Sequence, residues 1–183
     1  MRCEPKAFVL KDGRRAVLRC PRVEDAAGML ACMAATVSET PYLVREPDEA
    51  ASITIEQEEA FILRQLEDER TLMLLAEVDG AIAGICHLMP VSGMRRMLHR
   101  CSLAISLLSA HWGLGLGRAM MTAMLEAAPG LGYEQAELET VTTNERALRL
   151  YRSLGFAACG TLPRAMKYAD GSYADLCQMI RLL

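Results

Sequence analysis

Hydrophobic and polar positions follow two different periods along this chain, and each change of period marks a boundary between predicted elements. Apolar and β-branched segments flank three turn-forming dipeptides, Asp12-Gly13, Asp79-Gly80 and Asp170-Gly171. Because an Asp-Gly pair tolerates the positive φ angles of a two-residue turn, each pair predicts a β-hairpin. The first joins residues 7–10 to 16–20, the second joins 72–77 to 81–91, and the third links strands near the C-terminus.

Between the first two hairpins the apolar period lengthens to that of a helix. Apolar residues recur at helical spacing from Ala26 to Met33, and again within residues 54–69. The connection over residues 38–51 contains two prolines and is predicted to be a loop within one domain rather than a linker.

The C-terminal half alternates between strand and helix patterns. The predicted elements are strand 101–108, helix 115–128, strand 135–141, helix 144–154, strand 156–161 and strand 173–183. Alternation of this kind predicts an α/β (α+β) fold in which helices flank a central mixed sheet. The sequence has no internal repeat and no low-complexity tract, so residues 1–183 are predicted to form a single domain.

Composition narrows the functional classes. The chain has 183 residues, 52% of them hydrophobic, and a formal net charge of −3. The hydrophobic share excludes intrinsic disorder, and the mild acidity argues against a nucleic-acid binder. Seven cysteines without a C-x-x-C pair, and three histidines without ligand spacing, predict neither a disulfide framework nor a bound metal. Because no apolar run suits a signal peptide or a membrane span, a soluble cytoplasmic protein is expected.

The most informative segment is a glycine-rich turn between a predicted strand and a predicted helix. Gly113, Gly115 and Gly117 alternate with other residues where the helix opens. Glycines let a ligand approach the backbone closely, and N–H groups at a helix N-terminus favour an anion. A Walker loop needs Gly-Lys followed by Ser or Thr, and this turn has no lysine. The dinucleotide pattern G-x-G-x-x-G/A also fails, because Met120 occupies its sixth position.

Two motifs carry a family resemblance. The segment from Trp112 to Gly117 resembles motif A of the GNAT superfamily of acetyl-CoA-dependent N-acyltransferases, Arg/Gln-x-x-Gly-x-Gly/Ala, with Trp112 at the Arg/Gln position. Residues 144–156, NERALRLYRSLGF, resemble the family's motif B, N-x-x-A-x-x-L-Y-x-x-x-G-F, at every fixed position. Motif B begins 27 residues after Gly117, which leaves room for one helix and one strand.

The resemblance implies a single GNAT-like domain whose largely antiparallel sheet contains one splayed pair of parallel strands. Acetyl-CoA would bind as cosubstrate between those strands, residues 101–108 and 135–141. Asn144 caps its own helix on local grounds, and the resemblance adds a contact to the pantetheine arm.

The same resemblance assigns main-chain contacts to the cofactor. Ile105, Ser106 and Leu107 would pair with the amides of the pantetheine arm. The pyrophosphate would be held by the amides of the glycine turn, namely Gly113, Leu114, Gly115, Leu116, Gly117 and Arg118. The side chain of Arg118 could add charge, or could equally be an exposed residue of the first helical turn.

Tyr151 would be the general acid that protonates the departing CoA thiolate. A phenol with a pKa of about 10 stays protonated at neutral pH and can donate to a thiolate with a pKa of about 8.5. The alternative is a core tyrosine, since Leu150 and Leu154 flank it.

The general base is less well defined. Many family members carry a glutamate on the strand before the glycine turn, where this chain has residues 102–105, SLAI. The next candidate is Glu139, five residues before Asn144, with Glu137 on the same strand face as a relay through water. Both carboxylates could instead be ordinary residues of the sheet surface.

The resemblance therefore implies an N-acetyltransferase that moves an acetyl group from acetyl-CoA to a primary amine of a small molecule or a peptide. Direct attack in a ternary complex agrees with the absence of an evident Cys/His or Ser/His nucleophile pair. The alternative is a non-catalytic acyl-CoA-binding or regulatory domain. No nucleic-acid or membrane partner is expected, and homodimerisation is left open.

Overall fold

A computed structural model describes residues 4–183 and contains eight strands and five α-helices among them. In chain order they are β1 (Lys6–Val9), β2 (Arg15–Arg19), α1 (Ala26–Glu39), α2 (Pro47–Ala51), α3 (Ile55–Glu67), β3 (Leu72–Val78), β4 (Ala81–Pro90), β5 (Arg100–Leu107), α4 (Leu116–Ala127), β6 (Gln135–Val141), α5 (Glu145–Ser153), β7 (Ala157–Lys167) and β8 (Tyr173–Leu182). Within these described residues, no helix combines the length and apolar character that a membrane crossing requires.

The eight strands form one sheet in the order β1-β2-β3-β4-β5-β6-β8-β7. Neighbouring strands are antiparallel except for β5 and β6, which are parallel. The parallel pair arises because α4 lies between the two strands in the chain and returns it to the same end of the sheet. The predicted α/β (α+β) fold, with a largely antiparallel mixed sheet and flanking helices, is confirmed.

The three Asp-Gly pairs all lie in hairpins, but only one forms a two-residue turn. Asp79-Gly80 connects β3 to β4 directly, with φ angles of 53° and 81°. The other two pairs lie in longer connections, residues 10–14 and 168–172. There the carboxylates of Asp12 and Asp170 each accept a hydrogen bond from the N–H two residues on, at 3.1 Å and 2.8 Å. These side-chain hydrogen bonds stabilise a turn within each of the longer connections.

Two predicted boundaries are wrong. The connection over residues 38–51 ends in the short helix α2, which begins at Pro47, where the fixed φ of proline suits the first helical position. The carboxylate of Glu49 supports this start by accepting the Glu46 N–H at 2.9 Å. Strand β7 continues to Lys167 instead of ending near residue 161, because its pairing with β8 resumes after a bulge.

The sheet is covered on both faces, and β3 shows why. Its residues Leu72 and Leu74 belong to the larger core cluster with the methionines of α4 and with Tyr151 of α5. The alternate residue Leu75 belongs to a second cluster with α1 and α3. Since successive strand side chains point to opposite faces, α4 and α5 cover one face and α1 and α3 cover the other.

We expect Leu75→Ala to lower the free energy of unfolding by about 2–5 kcal/mol, because it leaves a cavity between the sheet and two helices. Leu75 is fully buried, whereas Leu63 on α3 is 47% exposed. Leu63→Ala is the control and should cost less than about 1 kcal/mol. Urea unfolding of both variants measures the difference, and equal losses would contradict the assigned second cluster.

Candidate functional site

The parallel strands β5 and β6 pair only at their beginnings. The paired residues of β5 are Arg100, Cys101 and Ser102, and beyond them β6 pairs with β8 alone. On its other side β5 stays paired with β4 to its end at Leu107. A gap therefore opens in the sheet beside the second half of β5.

Strand alternation decides which main-chain groups of β5 face this gap. The N–H of Leu108 donates to the Ala83 carbonyl of β4 at 3.0 Å. Since the main-chain groups of successive residues point to opposite sides of a strand, Ser106 also faces β4, whereas Ile105 and Leu107 face the gap. Ser106 thus differs from its predicted role, because its main chain is already directed to a neighbouring strand.

A cavity of about 280 Å³ lies at the gap. Its lining comes from the end of α1 and the loop after it, from β5 and β6, from the glycine turn and from α5. Helices from both faces of the sheet therefore contribute, because the gap joins the two faces. The cavity brings together the predicted residues Ile105, Ser106, Leu107, Gly117, Glu139, Asn144 and Tyr151.

The glycine turn produces an uncapped helix N-terminus. Gly113 and Gly115 have φ angles of 77° and 94°, which L side chains rarely adopt. Gly115 is the N-cap of α4 and provides no side-chain cap. The first bond of the helix runs from the Ala119 N–H to the Gly115 carbonyl, so the preceding N–H groups of the first turn have no partner within the helix. Such a terminus suits an anion.

The other predicted residues of the turn do not line the cavity with their side chains. The Leu116 side chain is fully buried in the core, and the Leu114 carbonyl accepts the Lys11 N–H at 3.1 Å. Arg118 is directed to α5, where its guanidinium donates to the Ser153 hydroxyl at 2.7 Å. These residues can therefore contribute main-chain N–H groups, while the Leu116 and Arg118 side chains and the Leu114 carbonyl hold the turn in place.

Asn144 precedes α5 and caps it, as predicted from its residue type. Its Oδ1 accepts the Ala147 N–H at 3.2 Å. Within residues 4–183 the structure gives the Nδ2 group no hydrogen-bond partner, and the residue lines the cavity. The cap fixes the amide plane, and Nδ2 remains available to a ligand carbonyl.

Tyr151 lies two turns further along α5, on the cavity side. The residue is 7% exposed, and its ring packs edge-on against Phe156 with 6.1 Å between centroids. Burial raises the pKa of the Tyr151 hydroxyl above its ordinary value, so the phenol stays protonated across the physiological range. Within residues 4–183 the hydroxyl has no hydrogen-bond partner, which leaves its proton free for a ligand atom.

The two carboxylates of β6 have different surroundings. Glu139 is exposed at the cavity, where its Oε1 accepts a hydrogen bond from Gln178 at 2.8 Å. Glu137 lies outside the cavity and accepts two hydrogen bonds from the Arg100 guanidinium, one of them at 2.7 Å. These hydrogen bonds hold the pKa of Glu137 below its usual value. The carboxylate of Glu137 thus forms an ion pair that links β5 to β6.

The structure adds cavity residues that the sequence did not indicate. One wall comes from the end of α1 and the loop that follows, with Thr36, Thr40, Tyr42, Leu43 and Val44. No motif marks these residues, because only the packing of α1 against the sheet brings them to the gap. Trp112 and Arg146 also line the cavity and are in contact with each other.

Comparison with known proteins matches the part of the chain that contains the cavity. The family model described as the Acetyltransferase (GNAT) family matches residues 36–156. Phosphinothricin N-acetyltransferase of Streptomyces viridochromogenes is 31% identical over 114 residues, which is 62% of this chain and 61% of that protein. An N-alpha-acetyltransferase of Sulfurisphaera tokodaii is 30% identical over 128 residues, 63% of this chain and 73% of that protein. The match thus spans less than two thirds of the Streptomyces protein.

The fold comparison agrees with this result. The crystal structure of a GNAT-family acetyltransferase from Streptococcus pneumoniae superposes with a TM-score of 0.86 at 27% identity. The alignment covers 92% of this chain and 99% of the Streptococcus chain. The architecture of residues 4–183 is therefore shared along nearly its whole length.

Proposed function

Because the chain belongs to the acetyltransferase (GNAT) family, we propose that it transfers the acetyl group of acetyl-CoA to a primary amine. The observation that carries the proposal is the gap beside β5, together with the uncapped N-terminus of α4 at its edge. An unpaired strand edge can bind an amide-containing arm through main-chain hydrogen bonds, and a helix N-terminus can bind its phosphates. Pantetheine linked to a pyrophosphate has both features.

The residues present fit such a cosubstrate. Ile105 has main-chain groups directed into the gap, and Asn144 has a free Nδ2 group on the opposite wall. Beside them Gly117 lines the cavity without a side chain, so a ligand can approach the first turn of α4 closely. When bound, acetyl-CoA would supply an activated acyl thioester.

In the proposed mechanism, the amine nitrogen forms a bond to the acetyl carbon and the carbon–sulfur bond breaks. Tyr151 donates its hydroxyl proton to the departing sulfur, so that CoA leaves as the thiol. The raised pKa of Tyr151 keeps this proton in place until the sulfur develops charge. Bulk water returns the proton to the tyrosine after product release.

The amine must also lose a proton. A lysine-type amine has a pKa of about 10.4 and needs a base more than an α-amino group with a pKa of about 8. We assign this role to Glu139, because its carboxylate lies exposed at the cavity while Glu137 is held by Arg100. Gln178 orients one carboxylate oxygen, and the other remains available.

The proposed acceptor is a primary amine of a small molecule or a peptide. The proposed location of the reaction is the cytoplasm. One relative is named a phosphinothricin N-acetyltransferase and another an N-alpha-acetyltransferase, so the acceptor class is left broad. Catalysis is favoured over a binding-only domain, because Tyr151 lines the cavity and its hydroxyl has no hydrogen-bond partner within residues 4–183. Release of CoA thiol, measured against panels of amino acids, antibiotics and peptides, identifies the acceptor.

Gly117→Val tests the site of the cofactor. A Cβ at this position meets the side chains of Leu150, Leu107 and Ile105 at 3.5–3.9 Å, an ordinary contact distance, so the fold should survive. The branched side chain would fill the space beside the amides of α4, and the Kd for acetyl-CoA should rise at least about tenfold. Gly93→Val is the control, because nothing lies within 4 Å of its added Cβ. Unchanged affinity by calorimetry would refute the placement.

Tyr151→Phe should lower kcat by about a hundredfold or more and leave the Kd for acetyl-CoA unchanged, because only proton donation is lost. Tyr133→Phe provides a matched control. Tyr133 is also buried, but its hydroxyl donates to the Arg70 carbonyl at 2.7 Å, away from the cavity. Steady-state rates of CoA release measure both variants. A Tyr151→Phe enzyme as fast as the wild type would contradict the assignment of Tyr151 as the general acid.

Glu139→Gln should lower kcat/KM by about a hundredfold in steady-state rates of CoA release, because the base is lost. Glu137→Gln is the control on the same face of β6, and it should leave the rate unchanged.

The control variant has its own pH signature. Since the pKa of Glu137 is lowered by folding, its ion pair stabilises the protein above the unfolded pKa and this contribution is lost as pH falls. Glu137→Gln should therefore destabilise the protein at neutral pH and converge with the wild type in acid. A rate loss in Glu137→Gln equal to that in Glu139→Gln would contradict the assignment of the base.

A further inference from the structure

Trp112 and Arg146 form a stacked pair at the edge of the cavity. The guanidinium carbon of Arg146 lies 3.7 Å from the centroid of the Trp112 ring. The indole Nε1 of Trp112 donates to the Leu107 carbonyl at 2.8 Å. The ring is therefore fixed by the end of β5, and Arg146 is held on that ring from α5. The pair bridges two walls of the cavity.

The charge of Arg146 is not neutralised by a carboxylate. Within residues 4–183 no acidic side chain lies at ion-pair distance from Arg146, whereas Arg149 on the same helix pairs with Glu145 at 2.9 Å. The two arginines also differ in position, because Arg146 lines the cavity and Arg149 does not. Arg146 thus presents an available cation to the cavity.

The position of Trp112 in the chain places this cation near the phosphate end of the proposed site. Trp112 is followed by Gly113, and Gly115 caps α4 two residues later. The Leu107 carbonyl faces the gap and already accepts the indole N–H, so the Leu107 N–H is the last main-chain donor that β5 offers a bound arm. Beyond that residue the ligand must leave the strand beside the Trp112–Arg146 pair.

We propose that Arg146, held by the Trp112 ring, binds a phosphate of the nucleotide half of acetyl-CoA. This inference rests on the proposed function, and it adds a side-chain cation to a site otherwise built from main-chain N–H groups. Stacking leaves the edge of the planar guanidinium free, so two of its N–H groups can donate to two phosphate oxygens. Arg146 is a binding residue, and Trp112 positions it.

The experiment compares two thioesters that differ in the phosphates. Acetyl-CoA has them, and S-acetylpantetheine has the same arm and acetyl group without the nucleotide. Calorimetry measures the first ligand, and titration followed by NMR measures the weaker second one. The proteins are the wild type, Arg146→Gln, Arg146→Lys and Arg149→Gln.

We expect Arg146→Gln to raise the Kd for acetyl-CoA about tenfold or more, because a charge-assisted hydrogen bond is lost. The Kd for S-acetylpantetheine should stay unchanged. Arg146→Lys keeps the charge without the planar pair of donors, so its Kd for acetyl-CoA should lie between those of the wild type and Arg146→Gln. Arg149→Gln should match the wild type for both ligands. Added salt should weaken acetyl-CoA binding less in Arg146→Gln than in the wild type.

Trp112→Phe completes the test, because phenylalanine keeps a ring but cannot donate to Leu107. Trp112→Phe should raise the Kd for acetyl-CoA. Adding Arg146→Gln to this variant should raise the Kd by a smaller factor than it does in the wild-type background. Thermal unfolding confirms that each variant is folded. Unchanged acetyl-CoA affinity in Arg146→Gln would overturn the inference, and so would an equal loss for both thioesters. A wild-type protein that binds neither thioester would refute the proposed function itself.

Discussion

The separation of β5 from β6 after Ser102 is the constraint on which the rest of the site depends. Two parallel strands that remained paired would satisfy each other's main-chain groups and leave no edge for a ligand. Here β6 instead pairs with β8 along its whole length, so the sheet keeps its continuity while β5 retains an open edge. The ion pair between Arg100 and Glu137 lies where the two strands are still joined, immediately before they separate.

The elements around the gap have complementary tasks. The glycine turn supplies unpaired N–H groups, and α5 supplies Asn144 and Tyr151 on one face through its helical period. Core packing fixes both helices, because the methionines of α4 and the Tyr151 ring belong to the same buried cluster. Tyr151 is therefore held at the cavity by the same contacts that stabilise the fold, and burial raises the pKa of its hydroxyl.

Local signals in the sequence account for much of this arrangement. Asp79-Gly80 marked its hairpin, Asn144 marked the start of α5, and alternating glycines marked an uncapped helix. Each signal depends on the φ angles or hydrogen bonds of a few neighbouring residues, so the sequence alone is sufficient. The sequence pattern does not indicate α2, because this helix is a single short turn stabilised by one proline and one carboxylate.

The sequence by itself determined the family motifs, the order of the elements and the residue types available for acid, base and phosphate binding. Only the tertiary structure distinguished Glu139 from Glu137, since strand alternation gives both the same face and Arg100 is 37 residues away from Glu137 in the chain. It also directed Ser106 to β4 and brought Arg146 onto Trp112. These outcomes depend on contacts between distant segments, which strand register and helix packing decide and which no local pattern encodes.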